Sequence, residues 1–231
     1  MTQQFMHAAI VPVLFGLIGG CAAVTGLGGE AAPQTYDLLA SKPAPLAKSR
    51  QTRFQLVVSE PAAVRALSTD RILVKPGPEN ISYYAKAQWS DRLPSLLQTR
   101  LIESLSRSRR FAAVGGGSDR IEADVRMATN IRAFQIEMNG ASGQAHVSFY
   151  VKIFNEKSGR IVASRSFETN VAAANDNVQA GVAALNSGLQ TVLGRITSWS
   201  SKVRIEEDPV ETLPERRAPA GAISEAPIRR G

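Results

Sequence analysis

The chain offers few side chains for covalent chemistry. Cys21 is its only cysteine, and it has two histidines. A thiol can accept a diacylglyceryl group, and Gly19 and Gly20 are small enough to let a peptidase reach the bond before Cys21. The uncharged run 8–18 (AAIVPVLFGLI) leads into these glycines. It is too short to cross a bilayer and suits the apolar segment of an export signal. A lone cysteine excludes an internal disulfide and any Cys-rich metal site. His146 is the only histidine beyond this leader, and a metal needs several converging ligands, so no metal site is expected. No serine sits in a G-x-S-x-G elbow, which argues against a hydrolase triad. Glu122 and Asp124 lie two apart and would share one face of a strand. Paired carboxylates can do acid–base work, but an exposed sheet face is the simpler account. No catalytic residue is therefore expected.

The order Ile18-Gly19-Gly20-Cys21 resembles a bacterial lipoprotein lipobox. On that resemblance, Ile18, Gly19 and Gly20 are the signal peptidase recognition residues, and Cys21 carries diacylglycerol and an N-acyl chain such as palmitate. The lipid on Cys21 is then the only non-protein group, with no other cofactor. Several acyl chains anchor far more firmly than one. Ala22, rather than Asp, follows the cysteine. By the lipoprotein sorting rule this favours the outer membrane of a Gram-negative cell, with the body facing the periplasm. The leader departs from the pattern in lacking Lys and Arg.

Those assignments imply elements that position the body relative to the anchor. The chain is 231 residues long with 44% apolar and 20% charged residues, which suits a globular domain and excludes a wholly disordered chain. Its net charge is +7. Such a surplus would ordinarily raise nucleic acid as a partner, but an exported chain does not meet it. Anionic membrane lipids or an acidic partner are better matches, with a merely solvated basic surface as the plain alternative. The divisions expected are a leader 1–20, a lipidated flexible tether 21–35, a folded domain 36–200 and a disordered charged tail 201–231.

Within the domain, short strands are expected at 36–39, 53–58, 71–75, 81–84 and 111–114. The Pro76–Asn80 turn separates two of them, and residues 115–118 read as a loop. Longer alternating strands are expected at 121–136, 146–154 and 161–168, with Asn139-Gly140 and Lys157-Ser158-Gly159 as turns. On the third, Ile161, Ala163, Arg165 and Phe167 share one face. Ser90 or Asp91 is expected to cap a helix carrying Leu93, Leu96, Leu97, Leu101 and Leu105 to about residue 109. A last helix at 175–199 carries Val178, Val182, Leu185, Leu189, Val192, Ile196 and Trp199 at alternating spacings of four and three. The fold class implied is α+β, a two-layer sandwich with a mostly antiparallel sheet and two long helices on one face. Tyr83, Tyr84 and Trp89 cluster ahead of the first helix, either as core aromatics or as a lipid or partner contact.

At these residues the chain resembles the ABC-type transport auxiliary lipoprotein family. The resemblance rests on the lipobox, Tyr36 to Leu39, a strand ending at Pro61, the Asp70–Val74 strand, Tyr83-Tyr84, Trp89 before a Leu-rich helix, Phe111 to Val114, and the final helix near Trp199. It implies a non-enzymatic outer-membrane partner of an inner-membrane ABC transporter and an MCE-domain protein that together move phospholipid. It also implies that some members are ring-shaped homo-oligomers. A structural or assembly lipoprotein of an envelope or secretion complex is the alternative. A periplasmic hydrolase would require His146.

Overall fold

Alternation of apolar and polar residues builds a long three-strand meander that forms one side of the sheet. The computed structural model describes residues 32–41, 52–120, 122–140 and 142–205. In chain order the elements are β1 (Gln34–Tyr36), β2 (Gln55–Val58), β3 (Ala62–Ala63), β4 (Arg71–Lys75), β5 (Ser82–Trp89), α1 (Leu93–Arg107), β6 (Ala113–Gly116), β7 (Val125–Asn139), β8 (Ser142–Asn155), β9 (Ile161–Ala172) and α2 (Val178–Ser200). Strands β7, β8 and β9 pair antiparallel along nearly their whole length. Gly140 and Gly159 adopt φ of 65° and 67° in the two turns, a conformation that glycine takes without strain.

On β8, Ala145, Val147, Phe149, Val151 and Ile153 are fully buried, and the residues between them turn to the other face. On β7 the buried set changes parity. Val125, Met127 and Ile131 are followed by Phe134 and Ile136. The register shifts between Ile131 and Ala133, and this bulge returns the apolar side chains to the same face.

The other edge of β7 receives three short parallel strands in succession. Leu56–Val58 lie beside Val125–Met127, Ala62 and Ala63 beside Asn130 and Ile131, and Val74 and Lys75 beside Ile136 and Glu137. Strand β6 extends the sheet beyond β2, while β5 and β1 extend it beyond β4. The open sheet is thus antiparallel in its long pairings and parallel in its short ones. Parallel pairing requires crossovers, and α1 supplies the one between β5 and β6.

Both helices cover one face, giving the expected α+β architecture. Val182, Leu185, Leu189, Val192 and Ile196 of α2 are buried. Each aliphatic side chain contributes about 1.5–3 kcal/mol when fully buried, so this stripe rather than intrinsic propensity holds the helix. A Cβ on Gly188 would stand 3.0 Å from Val147 Cγ2, so glycine lets α2 settle directly on β8. The α1 leucines expected to be apolar, Leu93, Leu96, Leu97, Leu101 and Leu105, are all buried.

Several boundaries differ from the sequence expectation. Neither Ser90 nor Asp91 caps α1; the N-cap is Arg92, without a side-chain cap. Asp91 acts one residue early, accepting the Arg92 N–H at 2.6 Å and the Ser95 hydroxyl at 3.0 Å. The helix ends at Arg107, and Arg109 takes φ of 51°, which stops it. At α2 the Asn177 side chain does cap, accepting the Ala180 N–H at 2.8 Å. Strand β1 lies at Gln34–Tyr36 rather than 36–39, because Asp37 takes the Leu38 N–H and Asn186 takes the Leu39 N–H, drawing the chain off the sheet. Gln34 and Thr35, expected in the tether, already pair with Ala87 and Gln88. Gly115 and Gly116, expected in a loop, pair with Val57 and Val58. Val203 and Ile205 pack against the core, although the tail was expected from 201. Residues 206–231 lie outside the described residues.

Candidate functional site

Cys21, the expected lipid attachment point, and Ile18, Gly19 and Gly20, the expected peptidase recognition residues, lie outside the described residues. The candidate contacts Tyr83, Tyr84 and Trp89 do not form one surface. Trp89 is only 2% exposed and packs on Phe134, with ring centroids 5.9 Å apart; Phe134 in turn stacks on Phe149. Trp89 is a core aromatic at the end of β5, on the buried side of the sheet. The Tyr83 hydroxyl donates to the Ala66 carbonyl at 3.2 Å, and the Arg71 guanidinium lies 4.0 Å over its ring. The Tyr84 hydroxyl approaches Gly181 of α2, where a Cβ would be 3.0 Å away. Burial, then the charge of Asp176, pushes the Tyr84 phenol up.

The sheet face opposite the helices carries polar side chains from β7, β8 and β9. His146 Nδ1 lies 2.9 Å from Glu137 Oε1, and its Nε2 lies 3.1 Å from Glu168 Oε1. Gln135 Nε2 also donates to Glu137 Oε1 at 2.9 Å. Burial alone would raise the Glu137 carboxyl. The His146 and Gln135 hydrogen bonds, with the charges of His146 and Lys75, outweigh it and hold the carboxyl below its ordinary value. The two carboxylates take opposite ring nitrogens instead of converging, and no metal-binding cluster occurs among the described residues. Arg132 lies 4.6 Å over the Tyr150 ring and donates to Ser166 Oγ at 3.1 Å.

Glu122 and Asp124 precede β7 rather than lying on it as a catalytic pair. Asp124 Oδ2 accepts the Gln55 N–H at 2.9 Å, and the Asp124 N–H donates to the Gln55 carbonyl at 3.1 Å. Asp124 thus fixes the start of β2, a structural task.

A groove that the sequence did not single out runs between β9 and the C-terminal half of α2. It is about 680 Å³ in volume, and Arg165, Phe167, Gly194, Arg195, Trp199 and Lys202 are among its lining residues. Phe167 and Trp199 meet edge to face, with centroids 5.5 Å apart. Arg165 lies over the Phe167 ring at 5.6 Å, and Arg195 Nη1 donates to the Glu168 carbonyl at 2.9 Å. Glu168 also lines the groove; it meets Arg195 through its carbonyl, and its carboxylate hydrogen-bonds to His146. Among the described residues no carboxylate pairs with Arg165, Arg195 or Lys202. Part of the signal was present in the sequence: Arg165 occupies an apolar register position on its strand, whereas Arg195 lies on α2 and Lys202 in the turn just beyond its end.

Comparison with known proteins fits this architecture. The model of a family described as ABC-type transport auxiliary lipoprotein component matches residues 36–197. An uncharacterized protein of Bradyrhizobium diazoefficiens is 31% identical over 188 residues, covering 81% of this chain and 50% of that protein. The chain therefore spans about half the length of that curated relative. The crystal structure of protein XCC0632 from Xanthomonas campestris, of the DUF330 family, is similar with a TM-score of 0.66 and 25% identity, covering 72% of this chain and 94% of that one. The crystal structure of a further uncharacterized protein has the same fold, with a TM-score of 0.58 and 15% identity, over 73% of this chain and 99% of that one.

Proposed function

Because the chain belongs to the family of ABC-type transport auxiliary lipoprotein components, we propose that it is the outer-membrane-anchored, periplasm-facing auxiliary subunit of an ABC system that moves phospholipid with an MCE-domain protein. The observation that carries this reading is the family match over residues 36–197, which takes in α1, all three long strands and α2 to within a turn of its end. Cys21 behind Ile18-Gly19-Gly20 supplies the anchor, with acyl chains as its only non-protein group. Ala22 at the following position supports the outer membrane as its destination. No helix among the described residues is long and apolar enough to cross a membrane, so this reading places the attachment in the lipid.

In this arrangement the body is a docking module. ATP hydrolysis belongs to another subunit, and the polar sheet face around Tyr150, Arg132 and His146 is the surface open to a protein partner. The test has two arms. A Cys21→Ala chain is expected to leave the outer-membrane fraction, and its retention there with native processing would sink the anchor. A photocrosslinking residue at Lys152, on the open face, is expected to capture an MCE protein or an ABC permease. Capture of a secretion or peptidoglycan component instead would establish an assembly lipoprotein.

A further inference from the structure

The geometry points to the groove between β9 and α2 as a binding site for the headgroup of an anionic phospholipid. This deepens the transport reading, on which it rests for naming a lipid as the source of the phosphate. Three cations, Arg165, Arg195 and Lys202, line the groove. The carboxylate of Glu168, which would otherwise neutralise one of them, hydrogen-bonds to His146. The carbonyl end of α2 adds about half a negative charge, well short of three full positive ones. The groove is therefore net basic, and it selects an anion.

An inorganic anion alone would leave the rest of the groove unused. Trp199, partly exposed and meeting the buried Phe167 edge to face, lines it with aromatic surface beside the cations. A volume of about 680 Å³ lies within the usual range for small-molecule sites, about 300–1,000 Å³. Phosphate against the cations and glycerol or acyl carbon against the rings satisfies both parts of the lining. A helical Cβ on Gly194 would meet nothing within 4 Å, so α2 is thinned beside this space. The charge complementarity predicts binding that weakens with added salt.

The test uses the full chain extracted in a non-ionic detergent and examined by native mass spectrometry. The probes are dioleoylphosphatidylglycerol, dioleoylphosphatidylcholine and inorganic phosphate. The anionic lipid is expected to be retained about tenfold more than the zwitterionic one. Gly194→Glu places a carboxylate in open space beside the cations and is expected to reduce that retention about tenfold, with a melting temperature by circular dichroism no lower than that of the unsubstituted chain. Arg165→Gln with Lys202→Gln tests the same point without adding a side chain to the helix. Equal retention of the two lipids, retention undiminished in both variants, or a phosphate adduct with no lipid adduct would overturn the proposal. Failure here leaves the Lys152 crosslinking result standing, and failure of that crosslink leaves a measured lipid preference standing.

Discussion

Asn186 on α2 accepts the Leu39 N–H at 2.8 Å and returns its own N–H to the Asp37 carbonyl at 3.2 Å. The chain leaving β1 is thereby tied to the last helix by two side-chain-to-backbone bonds across 147 and 149 positions of sequence. Asn186 is only 8% exposed, so truncating it strands two backbone groups in a partly buried place. Asn186→Ala is expected to cost about 1–3 kcal/mol, read as a lower urea midpoint with an unchanged slope. An unaltered midpoint would show that water replaces both bonds.

Gly188 and Gly194, both on α2, should respond to alanine with opposite signs. At Gly188 an added Cβ meets Val147 Cγ2 at 3.0 Å and Thr169 Cγ2 at 3.4 Å, and both belong to strands packed under the helix. Gly188→Ala is expected to destabilise by about 1–3 kcal/mol through overpacking, despite the better helix propensity of alanine. At Gly194 nothing lies within 4 Å, so propensity acts alone. Gly194→Ala is expected to stabilise by roughly 0.5–1 kcal/mol. Thermal melts of the two variants check the pair.

Thr129 is 2% exposed on the core side of β7, and its hydroxyl has no hydrogen-bond partner among the described residues. Valine keeps the β-branched shape favoured in strands and removes the buried oxygen. Thr129→Val is expected to raise stability by about 1 kcal/mol, seen as a higher urea midpoint. A fall would show that the hydroxyl is satisfied by bound water.

The elements most legible in the sequence were those whose burial is periodic and continuous. The Val182–Ile196 stripe and the Leu93–Leu105 stripe packed as expected, since each defines a face without help from distant residues. Boundaries were lost where long-range bonds decide them. Asn186 is what ends β1, and nothing near Asp37 announces it. The parallel attachment of β2, β3 and β4 along β7 was also hidden, because register between distant strands leaves no local periodicity. Of the candidate contacts, Trp89 went to the core, where an aromatic gains most from burial. The basic groove was missed because its cations come from β9, α2 and the turn after α2 separately, and only the fold brings them to one place.

Asp37 supplies a pH dependence whose direction follows from its surroundings. Burial would raise its carboxyl, but the Arg100 hydrogen bond at 2.8 Å, the Leu38 N–H, the Arg100 charge and the Ser90 hydroxyl together hold it below its ordinary value of 3.8. A carboxyl with a depressed folded pKa stabilises the fold above its unfolded value, and that contribution disappears as pH falls through the folded one. The side chain is 53% exposed, so solvent screening keeps the effect small. Asp37→Asn is expected to lower the urea midpoint slightly at neutral pH. The gap to the unsubstituted chain should close as pH drops from about 5 towards about 2. A gap that persists unchanged across that range would mean that Asp37 does not act through its charge towards Arg100, since the asparagine Oδ1 can still accept the Leu38 and Ser90 hydrogen bonds.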